Sequence, residues 1–453
     1  MTDSVDTTQP VAGTVEAWER HLGRRLEGEA SIHSLRAELT EGSLPQAFQA
    51  TAVRYPDRAA LTVEGATITH GELDRLAAKA GGRLRVQDVG PGQRVLLCGR
   101  TSLDFVVAYM GVLRIGGVVV PAGANLTEHE LRHLVDDSGA VCALAQGEAL
   151  NKLTSISRGG TLRQVIALGD DAEGFPSLRQ GIAEAEAVDP HEPEVDDAAL
   201  LAYTSGTTGR PKGVPLSHAN LLSSIRAAML AWRWDAEDVL VHALPLSHQH
   251  GLGGVHASLL SGSHAVIHGR FDPGVLCASV ESERATVLFA VPSMYERLVA
   301  WEGLEGADLS SLRLAVSGSS PLSPVLARKV SSLTGLEVLE RYGSTESGLS
   351  VSNPYDGPRR FGTVGLPLPG TELAIVDEEG RHLPPGNKGE IVLRGPQVFS
   401  GYLDLPDATR ESFFSEGWFR TGDVGSVDQK DAYLTITGRL KELIISGGLN
   451  VYP

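Results

Sequence analysis

Residues 198–213 read AALLAYTSGTTGRPKG: a short apolar run enters a loop in which Gly206 and Gly209 alternate with Thr204, Ser205, Thr207 and Thr208, and which closes on Lys212. An apolar strand that ends in a flexible loop is how a parallel α/β sheet presents its ligand-binding edge. Backbone N–H groups and hydroxyls on such a loop can surround a polyphosphate. The pattern G-x-x-x-x-G-K-[ST] cannot be laid on it, so it is not a Walker loop. A plain surface turn would explain any one of these residues, but not the ordered string.

Outward from this loop, the apolar runs ALTV, RVLLCG, GVVVPAG, VCALAQ, VLVHALP, TVLFAVP and LRLAVSG alternate with helix-like stretches between about residues 46 and 360. Strands this continuously apolar belong to parallel sheets covered on both faces. After residue 360, TELAIVD, GEIVLRG and AYLTITG, separated by Gly, Pro and Asp clusters, read as short strands of a small β-rich unit. The expected organisation is an N-terminal extension over 1–45, a first α/β subdomain over 46–200, and a second over 201–360 that carries the loop. A β-rich subdomain over 361–437 and a final segment over 438–453 follow. The acidic, Pro-containing residues 183–197 read as a surface linker.

Composition excludes several classes. The 453 residues carry 39 Lys and Arg against 56 Asp and Glu, and a net charge of −17 argues against nucleic acid and anionic membrane surfaces. The three cysteines, Cys98, Cys142 and Cys277, are far apart and form no C-x-x-C pair, which fits a reducing cytoplasm. The acidic N-terminus has no export signal. Phe105 to Leu126 is the one tempting membrane span, but Arg114, Gly116-Gly117 and Pro121 make a buried helix, a turn and a buried strand the better reading, so no membrane insertion is expected. No G-x-S-x-G elbow occurs.

Five ordered motifs resemble those of the adenylate-forming superfamily of acyl-CoA synthetases, luciferases and peptide-synthetase adenylation domains. They are YTSGTTGRPKG at 203–213, PLSHQHGLG at 245–253, ERYGSTESG at 340–348, FRTGD at 419–423 and GRLKELIISGG at 438–448. The resemblance spans about residues 46–453. It implies two doubly wound, mostly parallel α/β subdomains plus a small β-rich subdomain, with the family's mobile C-terminal α+β domain missing from this chain. It also implies a reaction in which a carboxylate attacks the α-phosphate of ATP, pyrophosphate leaves, and the thiol of coenzyme A takes the acyl group from the adenylate.

Residue roles follow from the same resemblance. Thr204, Ser205, Thr207, Thr208 and Lys212, with Gly206 and Gly209, hold the β- and γ-phosphates. Glu346 matches a ligand of Mg2+ and Thr345 a contact to the α-phosphate, chemistry suited to a hard cation. Tyr342 lies against adenine, within a stretch whose Arg341, Gly343 and Ser344 also border the nucleotide, and Gly318, Ser319 and Ser320 line the other side of the purine. Asp423 and Arg439 meet the ribose, Lys441 is the hinge, and Gly447 and Gly448 edge the thiol tunnel. His248 matches a residue that moves between the acyl pocket and that tunnel. It is one of six histidines in the span 242–268, which has no acidic or thiol partner for a zinc site.

The acyl pocket is expected among His250, Gly251, Gly253, Gly254, Gly343, Ser344 and Ser347, whose small side chains leave volume for a bulky, largely apolar acid. HQHGLGG lacks the Asp with which amino-acid-activating relatives grip an α-ammonium. Arg270 resembles an arginine that takes the second carboxylate in malonate-activating relatives, which makes a malonyl-CoA synthetase-like enzyme the runner-up. The motifs are also compatible with a ligase performing only the thioester half-reaction, with one that loads a carrier protein, and with a silent nucleotide-binding module. The chain stops at Pro453, shortly after the hinge, so a shortened chain without the distal adenylation lysine is expected.

Overall fold

The computed structural model describes residues 13–169, 172–194, 196–204, 210–440, 444–446 and 449–451. Two large sheets and one small one organise them. The first is six-stranded, in the order Gln164–Ala167, Cys142–Ala145, Arg94–Gly99, Val118–Gly123, Ala198–Thr204, Lys212–Ser217. Its first five strands are parallel, and the last forms an antiparallel hairpin with its neighbour. The second is nine-stranded. Six central parallel strands, from Val338–Ser344 through Leu314–Ser317, Val287–Ala290, Val239–His242 and His264–Ile267 to Ala59–Val63, are flanked by antiparallel strands at both edges.

Strand alternation distributes the side chains between cores. Leu240, Ala265 and Phe289 join Val95, Leu97 and Val119 in one large core shared by the two sheets. Their neighbours Val241, Val266 and Leu288 face an outer core on one side, and Leu96, Cys98 and Val120 an outer core on the other. Each large sheet is therefore covered on both faces, as continuous apolar runs require.

The third sheet is antiparallel, in the order Glu372–Val376, Gly389–Arg394, Phe419–Val427, Leu434–Arg439. A hairpin of Ile444–Ser446 and Leu449–Val451 follows.

Sheet membership departs from the division expected in sequence. Ala59–Val63 and Ala66–Thr69 pair into the nine-stranded sheet, and Lys212–Ser217 into the six-stranded one, so a cut at 200/201 separates neither sheet from the other. The described N-terminal residues, from Gly13 on, are also part of the body. Trp18 is fully buried and its indole donates to Thr371 O at 2.9 Å, while Leu35 and Leu39 enter the shared core. The acidic stretch after residue 184 is a pinned strap, with Val188 N–H on Ala78 O and His191 N–H on Arg114 O.

The apolar stretch after Ser102 folds as its glycines dictate. Ser102 caps the helix Leu103–Arg114, every residue from Phe105 to Arg114 is buried, and Gly116 turns the chain at φ 75° into the strand Val118–Gly123. Arg114 is buried in an ion pair with Asp74 and donates to Val188 O at 2.7 Å. Among the described residues no helix is long and apolar enough to cross a membrane.

Candidate active site

The carboxyl ends of the parallel strands point the functional side chains to one edge, where an α/β sheet binds its ligand. Leu314–Ser317 ends in Gly318-Ser319-Ser320, Val239–His242 in the loop to His248, and Val338–Ser344 in Thr345-Glu346. The hairpin of the six-stranded sheet sets Thr204 opposite Lys212 in register. Ser205, Gly206, Thr207, Thr208 and Gly209, the expected hinge residue Lys441, and Gly447 and Gly448 lie outside the described residues.

The third sheet contributes Asp423, which is buried and paired in register with Arg439. Arg439 Nε donates to Asp423 Oδ1 at 3.0 Å and the Tyr342 hydroxyl to Oδ2 at 2.6 Å. Burial, and then the carboxylate of Asp423, pushes the Tyr342 phenol well above its ordinary pKa, so it remains a donor.

Glu346 sits in a tight turn. Gly343 packs so closely that a Cβ there would lie 2.0 Å from Gly348 O, and Ser344 and Ser347 exchange hydrogen bonds across the turn. The Tyr402 hydroxyl donates to Glu346 Oε1 at 3.0 Å, and the Lys212 ammonium lies 4.5 Å from the centroid of the Tyr402 ring. Tyr402 had no signal in the sequence beyond a tyrosine beside Gly401. Burial, and then Glu346, raises its phenol pKa.

A cavity of about 450 Å³ opens beside Thr345 and exposed His248 and runs into the core between the two large sheets. Its walls include Trp232, Trp234, Met229, Phe289 and Leu252, none of them singled out in sequence, because aromatic and aliphatic residues in apolar stretches read simply as core. His250, Gly251, Gly253, Ser319, Arg341, Gly343 and Ser344 also line it. His250 Nδ1 pairs with the Ser319 hydroxyl at 3.1 Å, and its Nε2 is buried without a partner, as is Arg341 Nε. Burial, then Arg341 and His242, pushes the His250 pKa well below its ordinary value, so the imidazole is neutral. Burial lowers Arg341 to about 10, leaving it charged.

Three expected pocket residues do not line this cavity. Gly254 faces Leu240 and the His242 ring, Ser347 bonds within its turn, and Arg270 is exposed on the loop after His268. The glycines that do line it are small mainly because neighbours crowd them: a Cβ on Gly251 would meet Pro245 O at 2.5 Å and one on Gly253 the Ile225 side chain at 3.1 Å. Gly318 is small because the Arg341 guanidinium lies against it, and Ser320 is exposed at the same strand end. Arg341, expected beside the nucleotide, lines the cavity.

Residues 48–403 match the profile of the AMP-binding enzyme family. The chain belongs to that family. This AMP-binding enzyme is 36% identical over 408 residues to a feruloyl-CoA synthase from Amycolatopsis sp, covering 89% of the chain and 78% of the relative. It is 33% identical over 442 residues to a malonate–CoA ligase from Arabidopsis thaliana, covering 88% and 71%. The crystal structure of ATP-bound MatB from Rhodopseudomonas palustris superposes with a TM-score of 0.84 at 36% identity, over 90% of this chain and 81% of that one. The AMP-binding enzyme is an adenylate-forming acyl-CoA synthetase that uses ATP and coenzyme A.

Proposed function

We propose that this enzyme joins a carboxylic acid with a bulky, apolar body to the thiol of coenzyme A through an acyl adenylate. The observation that carries the acyl choice is the cavity that runs from Thr345 past Leu252 and Phe289 to Trp232 and Trp234. A site of that volume with aromatic walls and a mostly apolar lining suits an acid far larger than acetate. The feruloyl-CoA synthase relative fits this reading.

In the adenylation step the acid's carboxylate reaches the mouth of the cavity beside Thr345 and meets the α-phosphate of ATP there. Thr204 and Lys212 bind the outer phosphates, Asp423 and Arg439 the ribose, and Tyr342 with Gly318 and Ser319 the purine. Both half-reactions pass through crowded negative charge, which oriented donors and Lys212 stabilise. Exposed His248 stands at the mouth, where a thiol would enter after pyrophosphate has left.

Glu346 is suited to magnesium. Oε1 accepts from Tyr402, no described residue donates to Oε2, and a single carboxylate plus phosphate oxygens is a common way of holding this hard cation. When bound, the ion would withdraw charge from the phosphates.

Arg341 supports a second reading. A buried guanidinium with an unpartnered Nε on the wall of the cavity suits an acid with a second carboxylate, as the malonate-activating relatives would use. In this reading Arg341, not Arg270, takes the second carboxylate.

Calorimetry with acyl-sulfamoyl adenosine mimics separates the two. Tighter binding of an arylpropenoyl mimic than of a malonyl mimic supports the bulky acid. A preference for the malonyl mimic that Arg341→Met abolishes would replace it with the dicarboxylate. No binding of Mg·ATP or of either mimic would sink both.

A further inference from the structure

The segment from Phe399 to Leu403 is stitched at both ends to the residues that handle charge. Phe399 N–H donates to Glu346 O at 2.8 Å, and Leu403 N–H donates to Gly213 O, next to Lys212, at 2.9 Å. Between them Tyr402 is held by its own N–H on the Thr409 hydroxyl at 2.9 Å and by the edge-on ring of Phe399, with centroids 4.9 Å apart. The side chain is thus fixed before any ligand arrives. Its ring face carries the Lys212 cation and its hydroxyl carries the Glu346 anion.

Opposite charges this near a common side chain would otherwise attract one another. A direct pair would occupy the ammonium needed by phosphate oxygens and the carboxylate needed by a divalent cation. Among the described residues Lys212 and Glu346 form no ion pair: the ammonium lies over the face of the phenol ring and the carboxylate takes the hydroxyl at its edge. The attraction of the ring for the cation is weak enough to be surrendered to a phosphate. A hydrogen bond to a ligating carboxylate, by contrast, is the kind of support that orients it toward the metal.

We propose that Tyr402 is a positioning residue that holds Lys212 and Glu346 apart and aims each at its own target, so that nucleotide binding and divalent-cation binding are set by one side chain. This rests on the assignment of Lys212 to phosphate and Glu346 to the cation.

The test is calorimetric and needs no turnover. ATP affinity is measured with and without Mg2+, and the Mg2+ concentration that half-saturates ATP binding is determined, for the unaltered chain, Glu346→Gln, Tyr402→Phe and Tyr402→Leu. Tyr402→Phe keeps the ring beneath Lys212. It should leave metal-free ATP affinity within about twofold and raise the Mg2+ half-saturation roughly tenfold, the usual cost of losing such a supporting bond. Tyr402→Leu should raise the Mg2+ half-saturation as well and, since Lys212 can then collapse onto Glu346, should also weaken metal-free ATP binding several-fold. If Glu346→Gln leaves the Mg2+ dependence untouched, the underlying site assignment is wrong. If Glu346→Gln moves it but a folded Tyr402→Phe does not, the positioning role is overturned. Equal weakening by Tyr402→Leu with and without Mg2+, beside an unaltered Tyr402→Phe, would reduce Tyr402 to packing and also overturn it.

Discussion

The Tyr342 hydroxyl donates to Asp423 Oδ2 at 2.6 Å and so ties the end of the nine-stranded sheet to the third sheet across 81 positions of sequence. Asp423 is thereby held by two donors, Tyr342 and Arg439, at the place proposed for the ribose. Asp423→Ala strands both donors and removes the acceptor for the sugar hydroxyls. It should cost about 1–3 kcal/mol of ATP binding. Calorimetry on the purified variant checks this, and unchanged affinity would remove the ribose role.

Gly343 is a second point of leverage. A methyl group there must displace Gly348 O from 2.0 Å, which opens the turn that holds Thr345 and Glu346. Gly343→Ala should lower stability by about 1–3 kcal/mol, the cost of overpacking, and weaken Mg·ATP binding along with it. Gly90→Ala, with nothing within 4 Å of its added carbon, is the matched control and should do neither. Denaturant unfolding and calorimetry of the two variants read the difference.

His21 makes stability pH-dependent. It is buried against Leu366 O, and burial lowers its pKa from 6.5 to about 4. The unfolded chain therefore binds a proton that the folded one refuses, so the folded state loses stability as the pH falls from about 6.5 toward 4. Between pH 7.5 and pH 5 this single group should account for about 2 kcal/mol. His21→Gln should flatten the dependence by that amount in urea unfolding at the two pH values. An identical slope in both proteins would place the acid sensitivity elsewhere.

Much of the architecture was legible because its strands are fully buried. VCALAQ, TVLFAVP and LRLAVSG contain the strands Cys142–Ala145, Val287–Ala290 and Leu314–Ser317, each buried at every position. Partner choice was not legible, since nothing in ALTV distinguishes HAVI at 264–267, its actual parallel neighbour, from RVLLCG, the next apolar run read in the chain. The same limit holds for direction. Arg270 and Arg341 are both arginines near strand ends, yet one faces solvent and the other the cavity. The irregular register between Tyr342 and Gly343 is a feature of pairing that a single chain does not spell out. Tyr402 stayed hidden because its importance lies in what it touches on two other segments.

The strand Ala59–Val63 has one edge covered at once by its hairpin partner Ala66–Thr69, but its other edge waits for His264–Ile267. At about 5–20 residues per second, a ribosome needs on the order of ten seconds or more to deliver that partner. Trp18 waits longer still, since its acceptor lies 353 residues downstream. Throughout that interval the nascent protein carries an open apolar strand edge, the feature most prone to pairing with the wrong chain. The shared core that holds the cavity can close only when translation is well advanced, so a long exposure of that edge during synthesis is built into the order in which the strands are threaded.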